Sequence, residues 1–242
     1  MPVRWIAVET ELSPAPATPG LIYRTSPQVG FGVDGVRYFF KTGEGVVQSE
    51  VLGYSIAELV ELNVPQWALC RVPPSNQIWF ASQALGFSGG AEQLIRAGKV
   101  TNPEFLGDCI AFDIWTANVD RNIGNIIADA AIGLDGLAEL YAIDFEQAQV
   151  LNGTDFMTVG TLHSRSCWPK GALVELCRGV PFPTSMAQRI GRMRPVDLES
   201  ALVEVTSELE LPEIPWMDSA KRQLLSRAQR IDLLLREAWD VA

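Results

Sequence analysis

Short apolar runs bounded by turn residues fill the first third of the chain, and longer segments with helical spacing fill most of the rest. Residues 3–8 (VRWIAV) read as a first strand or strap, and residues 21–24 begin another strand. Residues 29–33 and 36–41 form a predicted hairpin about Asp34-Gly35, a dipeptide suited to the positive φ angles of a tight turn. Along 36–41 alternate side chains share a face, which puts Lys41 with Phe39 and Arg37, opposite Val36, Tyr38 and Phe40. Residues 47–62 carry Val51, Leu52, Ile56, Leu59 and Val60 at helical spacing, with Glu50 in the first turn, until Asn63-Val64-Pro65 stops the helix. Strands follow at 68–72 and 77–82 about a turn at 73–76.

The second part of the chain has a different rhythm. Residues 103–117 are apolar on most sides and call for burial on several faces, and 140–143 read as a buried strand ending on Asp144. Helices are predicted at 173–178, 184–192, 197–210 and 219–240. The last carries Leu224, Ala228, Ile231, Leu235 and Ala238 as a core stripe, with Asp218 as its N-cap. Residues 13–20, with three prolines and a glycine, read as a connector, and 86–90 as a flexible lobe boundary. Residues 145–170 have weak periodicity. They include His163, which is given no role, and Ser164 and Ser166, which lie where a substrate-facing or regulatory loop could run. No repeat appears. The pattern predicts an α+β chain: a small lobe over 1–83, an antiparallel sheet with one helix, and a mainly helical large lobe over 84–242.

Two polar clusters interrupt the apolar sequence. Asp120, Arg121, Asn122 and Asn125 form the first, and Asp144, nineteen residues beyond Asn125, forms the second. Either alone is ordinary loop chemistry. Together they offer a carboxylate and an amide oxygen to a hard cation, and leave Asp120 to orient a hydroxyl. A Lys41–Glu50 ion pair upstream would place an ammonium on nucleotide phosphates; separately, the two read as a solvated strand end and a helix-dipole complement. If 77–82 runs into a hinge, Phe80 guards an adenine pocket and the backbone of Ala81, Ser82 and Gln83 binds the base. The alternative is an ordinary core strand. Gly30, Gly32 and Gly35 spell GxGxxG, but Lys41 follows Gly35 by only six residues. Gly35 therefore reads as a turn residue and the others as strand glycines. The better-placed phosphate-facing loop is Thr25-Ser26-Pro27-Gln28.

A net charge of −10 from nineteen basic and twenty-nine acidic residues argues against an extensive nucleic-acid surface; it suits solubility or a basic partner. Cys70, Cys109, Cys167 and Cys177 have no metal or disulfide spacing and read as reduced, mostly buried thiols. No run reaches the ~18 apolar residues of a membrane span, and no signal-peptide core is present, so a cytoplasmic protein is expected.

The stretch 118–125 (NVDRNIGN) followed by Ile143-Asp144 resembles the HipA-like kinases, a bacterial branch of the protein-kinase-like fold related to the phosphoinositide kinases. The likeness runs roughly from 21 to 146. It takes in Tyr38-Phe39-Phe40-Lys41, the helix with Glu50, the break at 62–65 and Phe112-Asp113-Ile114-Trp115. It implies ATP and Mg2+ as ligands, with Lys41 on phosphates, Glu50 supporting it, Asp120 as catalytic base, and Asn125 with Asp144 holding the metal. The implied reaction moves the γ-phosphoryl group to a hydroxyl, foremost Ser/Thr of a protein. A small-molecule or lipid acceptor, or a catalytically silent module that binds a protein partner, stays open. Asn122 stands where the family often has His, which limits it to hydrogen bonding. The chain is shorter than the HipA toxins, so toxin activity, antitoxin binding and operator DNA do not carry over.

Overall fold

The computed structural model describes residues 3–9, 11–15, 27–73, 77–85, 91–129, 136–151, 164–209 and 216–239. Strands β1 (Trp5–Ile6), β2 (Ser13–Pro14), β3 (Gln28–Phe31), β4 (Arg37–Lys41), β5 (Trp67–Val72) and β6 (Gln77–Gln83) join in the order β1-β5-β6-β4-β3-β2. Helix α1 (Glu44–Leu59) lies between β4 and β5 in the chain. The hairpin forms as predicted, with Gly30 opposite Tyr38 and Gly35 at φ 73° in the turn. The sheet departs from the antiparallel expectation at one edge, where β1 runs parallel to β5. The connector reading is corrected at its start, because Ser13 and Pro14 pair with Val29 and Gln28, while 16–20 lie outside the described residues. Proline is tolerated there because β2 is an edge strand. The strand expected at 21–24 lies outside the described residues.

Helix α1 begins at Glu44, three residues before its predicted start, with Gly43 as N-cap at φ 102°. Glu50 therefore sits in the second turn, and the dipole-complement reading of it fails. Its buried residues Val51, Leu52, Tyr54, Ile56 and Ala57 face the sheet and the rest of the protein together. The Tyr54 ring lies 4.9 Å from Phe80 on β6 and 5.2 Å from Phe145.

Beyond the sheet come α2 (Ala91–Arg96), α3 (Phe105–Thr116), the hairpin of β7 (Ile126–Asp129) and β8 (Glu139–Ala142), then α4 (Ala172–Cys177) and α5 (Thr184–Gly191). They are followed by α6 (Pro195–Glu208), α7 (Met217–Gln229) and α8 (Ile231–Trp239). Every residue of α3 except Asp108 is buried, as its apolar sequence requires. The single helix expected over 219–240 is two helices broken at Arg230, with Trp216 rather than Asp218 at the N-cap; Asp218 stands in the first turn. The stripe from Leu224 to Ala238 is buried nonetheless. β1 is tied to α6 by Val3 N–H donating to Glu204 Oε1 (3.1 Å) and Trp5 Nε1 to Glu208 Oε2 (2.6 Å).

Gly53 is the tightest point of the packing. A Cβ there would stand 2.3 Å from the Cβ of Phe145 and 2.6 Å from its Cγ. Alanine is the better helix former by roughly 1 kcal/mol, but a clash at the root of a side chain is relieved only by moving backbone. Gly53→Ala is expected to destabilise the protein by about 1–3 kcal/mol in chemical denaturation. An unchanged or raised midpoint would mean that α1 slides over Phe145 without cost.

Candidate functional site

The site forms where the C-terminal end of β4, the second turn of α1 and the β7–β8 hairpin meet. Lys41 ends β4, and its Nζ donates to Glu50 Oε1 at 2.5 Å and to Asp144 Oδ1 at 3.0 Å. Glu50 Oε2 also accepts the Phe145 N–H at 3.3 Å. Lysine, helix glutamate and strand-end aspartate, more than ninety positions apart at the extremes, thus form one ion-paired group. Asp144 holds φ at 65°, a left-handed conformation that aspartate tolerates better than most residues.

Burial acts to depress the Lys41 ammonium, but the carboxylates of Glu50 and Asp144 outweigh it and hold the lysine well above its ordinary range. Burial pushes the Glu50 carboxyl up to about 7, against the pull of Lys41. It also acts to raise Asp144, but Lys41 and then Arg121 outweigh it and keep this carboxyl below its usual value. Asp144, held below the usual carboxylate range, is charged at neutral pH, as a cation ligand must be.

The catalytic-loop candidates are arranged by backbone carbonyls. Asn122 Nδ2 and Asn125 Nδ2 both donate to the carbonyl of Asp120, at 3.0 and 3.2 Å, and Asn122 Oδ1 accepts the Gly124 N–H at 2.9 Å. Asn122 is thus the cap of the 3-10 turn Ile123–Asn125. β7 starts at the next residue, Ile126 pairs with Ala142, and the Ile143 N–H donates to the Asn125 carbonyl at 3.1 Å. A short hairpin therefore brings together two clusters nineteen positions apart in sequence.

Sequence reasoning left three residues without roles that the structure supplies. Arg121, 1% exposed, grips Asp113 of α3 through Nε (2.8 Å) and Nη2 (3.0 Å). Its Nη1 donates to the carbonyls of Asn125 (2.9 Å) and Ile143 (2.7 Å). Asp113 also accepts from Asn118 Nδ2 at 2.9 Å, and Asn118 Oδ1 accepts the Asp120 N–H at 3.2 Å. The signal was Asp113 among apolar neighbours on every side of the helix, a carboxylate that needs a partner when buried. Glu146 is the third: ligand oxygens of Glu50, Asp144 and Glu146 lie within 4.8 Å of one another. All-oxygen donors of this kind fit magnesium.

The stretch expected to bind the base lies within the sheet. β6 is flanked by β5 and β4, with Ala81 opposite Ala68 and Phe40 and Ser82 opposite Trp67 and Phe39, so their backbone groups lie in the ladder. The Gln83 N–H donates to the Gln66 carbonyl at 2.7 Å, and its own carbonyl accepts the Leu85 N–H. Phe80 is a core residue, 1% exposed and 6.0 Å from Trp67, although it stands beside Lys41 in the sheet register. Gly35 lies at the Arg37 end of β4, roughly 13 Å from the Lys41 end, in line with reading its glycines as strand and turn residues. Gln28, opposite Phe40, leads back toward Thr25 and Ser26, which lie outside the described residues, as does His163. All four cysteines are buried and unpaired, and no described helix is long and apolar enough to cross a membrane.

No family model and no curated protein matches the sequence. Solved structures do match. The Helicobacter pylori proinflammatory kinase CtkA aligns over 98% of this chain and 99% of its own, with a TM-score of 0.53 at 14% identity. HipA of Shewanella oneidensis MR-1, solved as a toxin–antitoxin complex with HipB and its operator DNA, aligns over 85% of this chain with a TM-score of 0.53 at 15% identity. The matched region spans 60% of that HipA chain. The chain therefore has the α+β fold shared by the CtkA and HipA kinases.

Proposed function

We propose that this protein is an ATP- and magnesium-dependent HipA-like kinase that transfers the γ-phosphoryl group to a hydroxyl, foremost Ser or Thr of a protein. The observation that carries the reading is the Lys41 ammonium held between Glu50 and Asp144. That group places a phosphate-binding cation beside the carboxylate proposed to hold the metal. Asn125 and Asp144 would hold magnesium, which when bound neutralises charge on the phosphates. Lys41 binds the phosphates, Glu50 keeps it aimed, and Asp120 orients the acceptor hydroxyl and takes its proton. Asn122 holds the Asp120 carbonyl and the 3-10 turn in place. Residues 1–83 form the nucleotide lobe and 84–242 the catalytic lobe. Four unpaired buried thiols fit a reducing, cytoplasmic setting.

Thermal unfolding tests this without knowledge of the acceptor. Mg·ATP at about a hundred times its dissociation constant should stabilise the protein by about 2.7 kcal/mol, several degrees for a chain of this size, and chelating the magnesium should remove the shift. No shift with ATP or any other nucleotide would leave the fold as a partner-binding module. Phosphoserine or phosphothreonine product would separate a protein kinase from a small-molecule or lipid kinase.

A further inference from the structure

Lys170 reaches the catalytic loop from nearly fifty residues further along the chain. Its backbone N–H donates to the Arg121 carbonyl at 2.9 Å, and its Nζ lies 3.7 Å from Asp120 Oδ1. The segment that delivers it is well anchored. Cys167 and Pro169 are buried, and the Trp168 ring packs edge-on against Trp239 at 4.8 Å. The lysine side chain is 53% exposed, against 25% for Asp120. An exposed pair at this distance adds little to stability, so the ion pair itself gives folding no reason to place an ammonium beside this carboxylate. The neighbouring cations are placed otherwise: Arg121 is sealed from solvent on Asp113, and Lys41 sits on Glu50 and Asp144.

We propose that Lys170 is a catalytic residue that binds a non-bridging oxygen of the γ-phosphoryl group during transfer; this rests on the phosphotransferase reading. A hydroxyl hydrogen-bonded to Asp120 lies about 2.7 Å from its carboxylate, and that hydroxyl oxygen attacks the phosphorus. An ammonium already beside the same carboxylate therefore reaches the phosphoryl oxygens by a side-chain rotation. In the step, the acceptor oxygen bonds to phosphorus as the bond to the β–γ bridging oxygen breaks. That electron pair leaves on ADP, and the hydroxyl proton passes to Asp120. Lys170 keeps its three protons and offsets charge on the moving group.

The test compares wild type, Lys170→Met and Lys170→Arg for affinity toward Mg·ADP with and without aluminium fluoride, which mimics the moving phosphoryl group. Neither substitution touches the backbone bond to Arg121, so melting temperatures should stay within a few degrees. Lys170→Met should bind Mg·ADP about as well as wild type but lose roughly tenfold or more of the fluoride-dependent tightening, and Lys170→Arg should recover much of it. Tightening that survives in Lys170→Met, or an equal loss with and without fluoride, overturns the role of Lys170 alone. A wild type that binds no Mg·ADP overturns the phosphotransferase reading and this inference with it.

Discussion

Asp144→Asn is expected to lower phosphoryl transfer by about a thousandfold or more while leaving the protein folded. Asparagine is the informative replacement because residue 144 has φ 65°, where asparagine is tolerated and alanine is strained. It removes the charge and keeps the shape, and Lys41 retains Glu50 as partner at 2.5 Å. Metal affinity and phosphate placement then fail together, because the same carboxylate faces the lysine and would ligate the cation. Initial rates with radiolabelled ATP, alongside melting curves with and without Mg·ATP, separate this from unfolding. The variant should melt near the wild-type temperature in buffer and lose the Mg·ATP shift. Undiminished transfer by Asp144→Asn would sink the proposed metal site. Asp144→Ala should be as inactive and less stable.

Local signals in the sequence were those that act over a few residues or along one repeating face. The Asp34-Gly35 turn, the all-round apolar α3 and the buried stripe of Leu224 to Ala238 each follow from one segment read alone. The break at Arg230 was hidden because the stripe continues in phase across it. Lys41 and Glu50 were legible as a pair, but not their shared neighbour Asp144, since nothing local says that a strand end 103 positions away arrives at the same point. The β7 strand escaped notice because Ile126-Ile127-Ala128 is too short to declare itself without β8 beside it. Phe80 shows the opposite limit. Its apolar strand fits an adenine pocket or a core equally well, and only its packing against the rings of Tyr54 and Trp67 shows how it is buried. Gly53 gave no sign in sequence, since its meaning lies wholly in Phe145 standing against it.

Arg121→Met should cost about 3–5 kcal/mol of stability, a large part of what a domain of this size possesses. The guanidinium is 1% exposed and Asp113 fully buried, so removing the arginine strands the carboxylate in the interior with only Asn118 and the weak Cys109 thiol as partners. The carbonyls of Asn125 and Ile143 lose their shared donor in the same change. Arg121→Lys should restore the charge but not the two-pronged grip on Asp113, and recover only part of the loss. Replacing both partners, as Asp113→Leu with Arg121→Met, removes the stranded charge and should be more stable than either single variant. It should still transfer phosphate poorly, because the link from α3 to Asn125 and to the strand end before Asp144 is gone. Denaturant midpoints of the four proteins give the coupling energy. A loss below roughly 1 kcal/mol for Arg121→Met would mean that water replaces the guanidinium and that packing, not this ion pair, fixes the spacing of the candidate site.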